Sequence, residues 1–179
     1  ADGTATSDGE QNGEGRAIRL LVESGVDVPL LEVWERLSIP VDAVLLFGLN
    51  DWLHLGFGLG IAGFAGNEPN TGIGYPTGEF GLHGDLAVFK TIKGRVAFTA
   101  RLSIAPTWIF RRNADNAFWL LARGGVGLHI KIWKSFGVLA EAMGGVGPVF
   151  CRDTTADWFT EKTSLAVDVG GRAGITYAF

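Results

Sequence analysis

Charges of both signs recur along the chain, at Asp85, Arg101, Arg123, Glu141, Asp168 and Arg172. The histidines His54, His83 and His129 share the sequence with Ser103, Ser164 and Glu79. Two chemistries suit these residue types. Facing charges of opposite sign can form a structural network, tolerable away from water when it is paired and hydrogen-bonded. A serine, a histidine and an acid can instead combine as a nucleophilic site, for example in a lipid-hydrolysing enzyme. Neither Ser103 nor Ser164 sits in a nucleophile elbow or other specific spacing. The histidines are too scattered for a metal site. Cys151 is the single cysteine, which excludes an intrachain disulfide and any multi-cysteine zinc or iron–sulfur centre. Gly56, Gly58 and Gly60 are spaced wrongly for a phosphate cradle. No catalytic residue, metal ligand or cofactor is therefore assigned, and the charges are read as a structural network.

The elements that carry these residues are strands. Trp52 to Phe64 places Leu53, Leu55, Phe57, Leu59 and Ile61 on one face, with His54, Gly56, Gly58 and Gly60 on the other. The same alternation runs through Glu79 to Phe89, Arg95 to Phe110, Phe118 to Lys131, Phe136 to Phe150 and Thr163 to Phe179. Period two over such lengths predicts strands and not helices. Val41 to Leu49 reads as a further strand leading into an Asn50-Asp51 turn. A first strand is expected around Arg19 to Glu23, and Val33 to Leu37 could form a short helix before the second.

The connections alternate in kind. Asn50-Asp51, Thr91 to Gly94 and Trp133 to Ser135 are short, whereas Ala65 to Gly78, Arg111 to Asn116 and Cys151 to Glu161 are longer and more polar. Short turns at one rim and long loops at the other are the asymmetry of a transmembrane barrel. An even strand number with both termini on one side gives eight strands. The expected fold class is therefore all-β, a transmembrane antiparallel up-and-down β-barrel.

Composition agrees. Of 179 residues, 47% are hydrophobic and 27 are glycine, and the mean hydropathy is +0.23. Yet the chain lacks the run of roughly 18 apolar residues that a membrane helix needs. The net charge of −4, with basic residues dispersed along the sequence, argues against a nucleic-acid surface. Residues 1–15 are polar and read as a disordered leader, with the barrel domain spanning 16–179. Ala1 would suit the first residue left by a removed signal peptide.

One alternating face is nearly uncharged. A soluble barrel that binds an apolar ligand would turn it inward, and a membrane barrel outward. The polar face is rich in Gly and Ala, which suits a narrow lumen better than a solvated surface. Aromatics also gather at strand ends. Trp52, Trp133 and Phe136 lie near short turns, and Trp108 and Trp158 near long loops, as two interfacial girdles would require. With the apolar face outward, Asp85, Arg101, Arg123, Glu141, Asp168 and Arg172 enter the lumen at similar depth. Strands are spaced about 4.8 Å apart, so opposite charges are expected to pair across neighbours. The expected result is a charge-paired plug that blocks a water channel, so that Arg101→Ala should raise conductance.

The final residues, Arg172-Ala173-Gly174-Ile175-Thr176-Tyr177-Ala178-Phe179, fill a pattern of polar, any, Gly, any, any, aromatic, any, aromatic. This resembles the C-terminal signal of bacterial outer-membrane barrels. As a pattern, residues from Arg16 onward resemble the small OmpA-like and OmpX-like barrels. The resemblance implies a Gram-negative outer membrane, contact with its lipid, and insertion by the barrel-assembly machinery through Gly174, Tyr177 and Phe179. The expected role is a rigid scaffold whose long loops offer a site for a protein partner. The alternatives are a narrow pore for small solutes, a lipid-modifying barrel enzyme and a soluble apolar-ligand barrel.

Overall fold

A strand with one apolar face leaves its backbone groups unpaired unless neighbours take them up, and in lipid no water can do so. The chain solves this by closing one sheet on itself. The computed structural model describes residues 18–30, 37–65, 75–112, 116–151 and 162–179. Within them run β1 (Ile18–Pro29), β2 (Leu37–Gly48), β3 (Leu53–Ala65), β4 (Tyr75–Lys93), β5 (Val96–Arg112), β6 (Ala117–Lys131), β7 (Phe136–Cys151) and β8 (Lys162–Ala178). Each strand pairs antiparallel with the next. β8 closes the barrel on β1, in a register running from Arg19↔Ala178 to Pro29↔Asp168. The observed fold is the expected eight-stranded up-and-down barrel.

The short turns lie where the sequence places them, and each has a local cause. Asn50 Oδ1 accepts the backbone N–H groups of Trp52 at 3.0 Å and Leu53 at 2.8 Å. A carboxamide that bonds the chain two or three residues on is a turn former. Gly94 has φ +54°, so the two-residue loop between Lys93 and Val96 uses the residue that adopts this geometry without a Cβ clash. Ile132 and Trp133 both donate to Phe136 O at 2.9 Å.

Some strands run further than the alternation suggested. β4 covers 19 residues and takes in Thr91, which the sequence reading gave to the turn. β2 begins at Leu37, not Val41. Leu37 is thus extended, and the rest of the segment read as a possible helix lies outside the described residues. Pro40 obscures this strand because it has no N–H for the ladder. The β1–β2 pairing runs to Ser24↔Val41 and resumes at Asp27↔Ser38, skipping Pro40. Ser24 Oγ donates to the Pro40 carbonyl at 2.9 Å and takes up that acceptor. The 1–15 leader also lies outside the described residues.

The apolar face points outward. Leu55 is 53% exposed and Leu102 64%, whereas Arg101 is 4% exposed. A barrel with greasy walls outside and buried charge inside is arranged for lipid, not for water. The inward residues form three layers. Near the short turns Leu21, Val44, Leu46, Ala87, Phe89 and Leu139 pack together. Near the long loops Ala105, Ile109, Ala117, Trp119, Leu121, Val149 and Ala166 pack together, with Phe64 against them. The charged residues occupy the belt between.

Candidate functional site in the barrel lumen

Alternation points the belt residues inward, and the register brings them to one depth. Arg101 on β5 donates to Glu23 Oε1 on β1 at 2.6 Å and lies 2.9 Å from Glu141 Oε2 on β7. Arg123 on β6 reaches Asp168 at 3.2 Å and Asp27 at 3.3 Å. Arg172 on β8 makes a two-pronged bond to Asp27, at 2.5 and 2.7 Å, and its Nε lies 3.5 Å from Asp42. Planar guanidinium and carboxylate groups match in such a fork, which orients both. Asp85 is buried and lies 2.7 Å from His83 Nδ1, whose other nitrogen is 3.8 Å from Asp42.

All the lumen charges expected from the sequence are thus in the belt; Arg172 and Asp27, on β8 and β1, pair across neighbouring strands as expected, but other pairs reach further. Glu141 stands opposite Arg172 in the β7–β8 register, yet its ion pair is with Arg101, two strands away. The bonds of Arg101 to Glu23 and Arg123 to Asp27 cross the lumen. The reason is length: an Arg side chain in a narrow barrel spans the interior more easily than it folds back on its neighbour. Glu23, Asp27 and Asp42 were missing from the sequence-based network. Their signal was parity, since Glu23 and Asp27 alternate in step with buried Leu21.

Glycines make the space. A Cβ on Gly60 would strike Asp42 Oδ1, one on Gly170 would strike Asp27 Oδ1, and one on Gly145 would strike Asp168 Oδ1 with Arg123 Cγ at 2.9 Å. A Cβ on Gly174 would lie 2.7 Å from that of Glu23. Gly174, which belongs to the C-terminal pattern, therefore also serves the lumen. Tyr177 and Phe179 point outward, with rings 5.1 Å apart at 79°.

The hydrogen bonds of His83 and His129 go to Asp85 and Thr176, not to Ser103. His54 is buried with its ring edge-on to Phe89 at 5.3 Å. The Ser164 side chain lies outside the described residues.

Trp52, Trp108, Trp133 and Phe136 are exposed on the outer wall or its turns, while Trp158 lies outside the described residues. Near the long-loop rim the aromatics form a continuous ladder on the outer wall. Phe80, Trp108, Phe118 and Phe150 stand opposite one another in register on β4, β5, β6 and β7. Their ring centroids are 6.1, 5.5 and 6.2 Å apart. Aromatic rings at one height are the form of an interfacial girdle.

No protein-family model and no curated protein sequence matches this chain. Solved structures do. The N-terminal β-barrel domain of Pseudomonas aeruginosa OprF is 13% identical, with a TM-score of 0.58 over 90% of this chain and 97% of that one. Neisserial surface protein A is 10% identical, with a TM-score of 0.54 over 92% of this chain and 97% of that one. At such identities the likeness concerns architecture alone. The chain has the fold of the small eight-stranded outer-membrane barrels, as the OmpA-like and OmpX-like resemblance of its sequence implied.

Proposed function

We propose that this chain resides in a bacterial outer membrane as a closed barrel and acts as a rigid scaffold that presents its long-loop rim. The observation that carries this reading is the filling of the lumen. Two apolar layers enclose an ion-paired belt whose Arg101, Glu23 and Glu141 side chains are 4%, 2% and 2% exposed. A hydrated path would have to pass all three layers, and apolar constrictions oppose water entry even where a gap exists. The crossing ion pairs tie β1 to β5 and β6, on opposite walls, and so resist flattening of the barrel. Segments 31–36, 66–74, 113–115 and 152–161 all join strands at one rim, and connections of this kind are where a rigid scaffold commonly carries its binding function. Insertion by the barrel-assembly machinery through Tyr177 and Phe179 is part of the same reading.

The test is electrical. Purified protein, refolded and checked for a closed barrel by its boiled-versus-unboiled gel mobility, is added to planar bilayers. No discrete conductance steps are expected. Steady unitary steps from the heat-modifiable form would overturn the closed-lumen reading and favour a narrow pore. Replacing residues 66–74 by a short turn should leave the mobility shift intact, because a scaffold's loops are separable from its walls.

A further inference from the structure

The short-turn rim is charged unlike the rest of the protein. The whole chain carries −4, yet Lys90, Lys93, Arg95, Lys131 and Lys134 cluster at this rim. Asp51 is the acidic side chain there among the described residues. Inside the rim lies a cavity of about 270 Å³, lined by Arg19, Asp51, Arg95, His129, Lys131 and Lys134 among others.

The cavity is a blind cup. Above it the layer of Leu21, Val44, Leu46, Phe89 and Leu139 separates it from the acidic belt. Phe89 forms part of the floor, with the Arg19 guanidinium 5.0 Å from its ring centre. His129 Nε2 and Thr176 Oγ1, 2.8 Å apart, supply polar groups beside it. Arg95 also lines it, its Nη1 donating to Ile132 O at 3.4 Å. Gly137 makes room for the His129 and Thr176 side chains: a Cβ there would strike His129 Nε2 and lie 2.8 Å from Thr176 Oγ1.

We propose that this cup binds a small phosphate-bearing anion from the solution on the short-turn side. Guanidinium and ammonium donors converging on one space suit phosphate oxygens. The apolar floor lowers the local dielectric and strengthens each charge contact relative to open water. Sites for drug-sized ligands occupy about 300–1,000 Å³, so the occupant here is small. This inference stands apart from the scaffold reading, since a closed barrel and a conducting one can both carry the cup.

The test uses the full chain refolded in octyl glucoside, a detergent without phosphate, with backbone amides followed by NMR. Pyrophosphate is titrated at constant ionic strength. Saturable shifts are expected at His129, Gly137 and Thr176. Arg95→Gln with Lys134→Gln, at exposed turn positions, should weaken the apparent affinity about tenfold, the scale of one or two charge-assisted contacts. Gly137→Ala pushes His129 and Thr176 out of place without changing charge and should weaken binding too, provided the variant keeps its heat-modifiable mobility. Arg112→Gln, at the opposite rim, should leave binding unchanged. A second arm replaces pyrophosphate with phosphatidylglycerol in bicelles. Cup shifts with pyrophosphate alone identify a free phosphate compound as the source, and cup shifts with the lipid identify a headgroup. Shifts in neither arm overturn the proposal. So does an equal loss on Arg112→Gln, which would mean diffuse charge attraction.

Discussion

Arg101→Met is the sharpest test of the belt. The change keeps an unbranched side chain beside Met143, whose Sδ lies 3.9 Å from Arg101 Nη2, and removes the charge. It strands Glu23 and Glu141, which Arg101 holds at 2.6 and 2.9 Å with side chains 2% exposed. Removing one partner of a buried ion pair costs about 3–5 kcal/mol, because the remaining charge is left without solvent or counter-ion. At 1.36 kcal/mol per tenfold, the folded-to-unfolded ratio should fall by about 10²–10⁴. The assay is reversible urea unfolding in micelles, followed by tryptophan fluorescence and gel mobility, with coincidence of the two probes as the two-state check. The triple variant Arg101→Met, Glu23→Gln, Glu141→Gln should recover most of the loss, since no charge is then stranded. A single-variant loss below about 1 kcal/mol would mean that the pairs are solvated, and would refute the reasoning. So would a triple variant no better than the single one. The apolar layers above and below the belt also change what this residue implies for conduction. Removing the charge at Arg101 leaves both layers in place, so the variant should stay silent in planar bilayers, contrary to the rise in conductance expected from a plug made of charges alone.

Other outcomes follow from the outer wall and the lumen glycines. Leu102→Arg, at a site 64% exposed on the apolar face, should cost about 2–4 kcal/mol in lipid bilayers, measured by refolding into vesicles; unchanged stability would argue that this face meets water. Gly145→Leu drives a side chain into Asp168 and Arg123, and its heat-modifiable form should be reduced or lost on refolding, whereas the same change at Gly84, where a Cβ meets open space, should be tolerated. Trp108→Ala removes two ring pairs of the ladder and should cost about 1–3 kcal/mol by urea titration, at roughly 0.5–1.5 per aromatic pair. Deleting Phe179 should slow assembly in cells, read as the heat-modifiable fraction over time, while refolding of purified chain into detergent stays near normal.

Much of this barrel was legible along the chain because alternation is a local property. Leu53, Leu55, Phe57 and Leu59 declare a face without reference to any other strand, and Asn50 and Gly94 mark turns through their own backbone chemistry. The inward direction of Arg101 and Arg123 followed from the same parity. Strand ends were less legible where Pro40 interrupts a ladder that Ser24 repairs from another strand. What only tertiary structure decided was who meets whom. Arg101 is 78 residues from Glu23, Arg123 is 96 from Asp27 and Arg172 is 145 from Asp27. Those encounters depend on the registers of all eight strands accumulated around a closed ring, and no local pattern records that sum. The layering of the interior has the same origin, since Leu21, Val44, Phe89 and Leu139 become one apolar floor only when closure sets four strands at a common height.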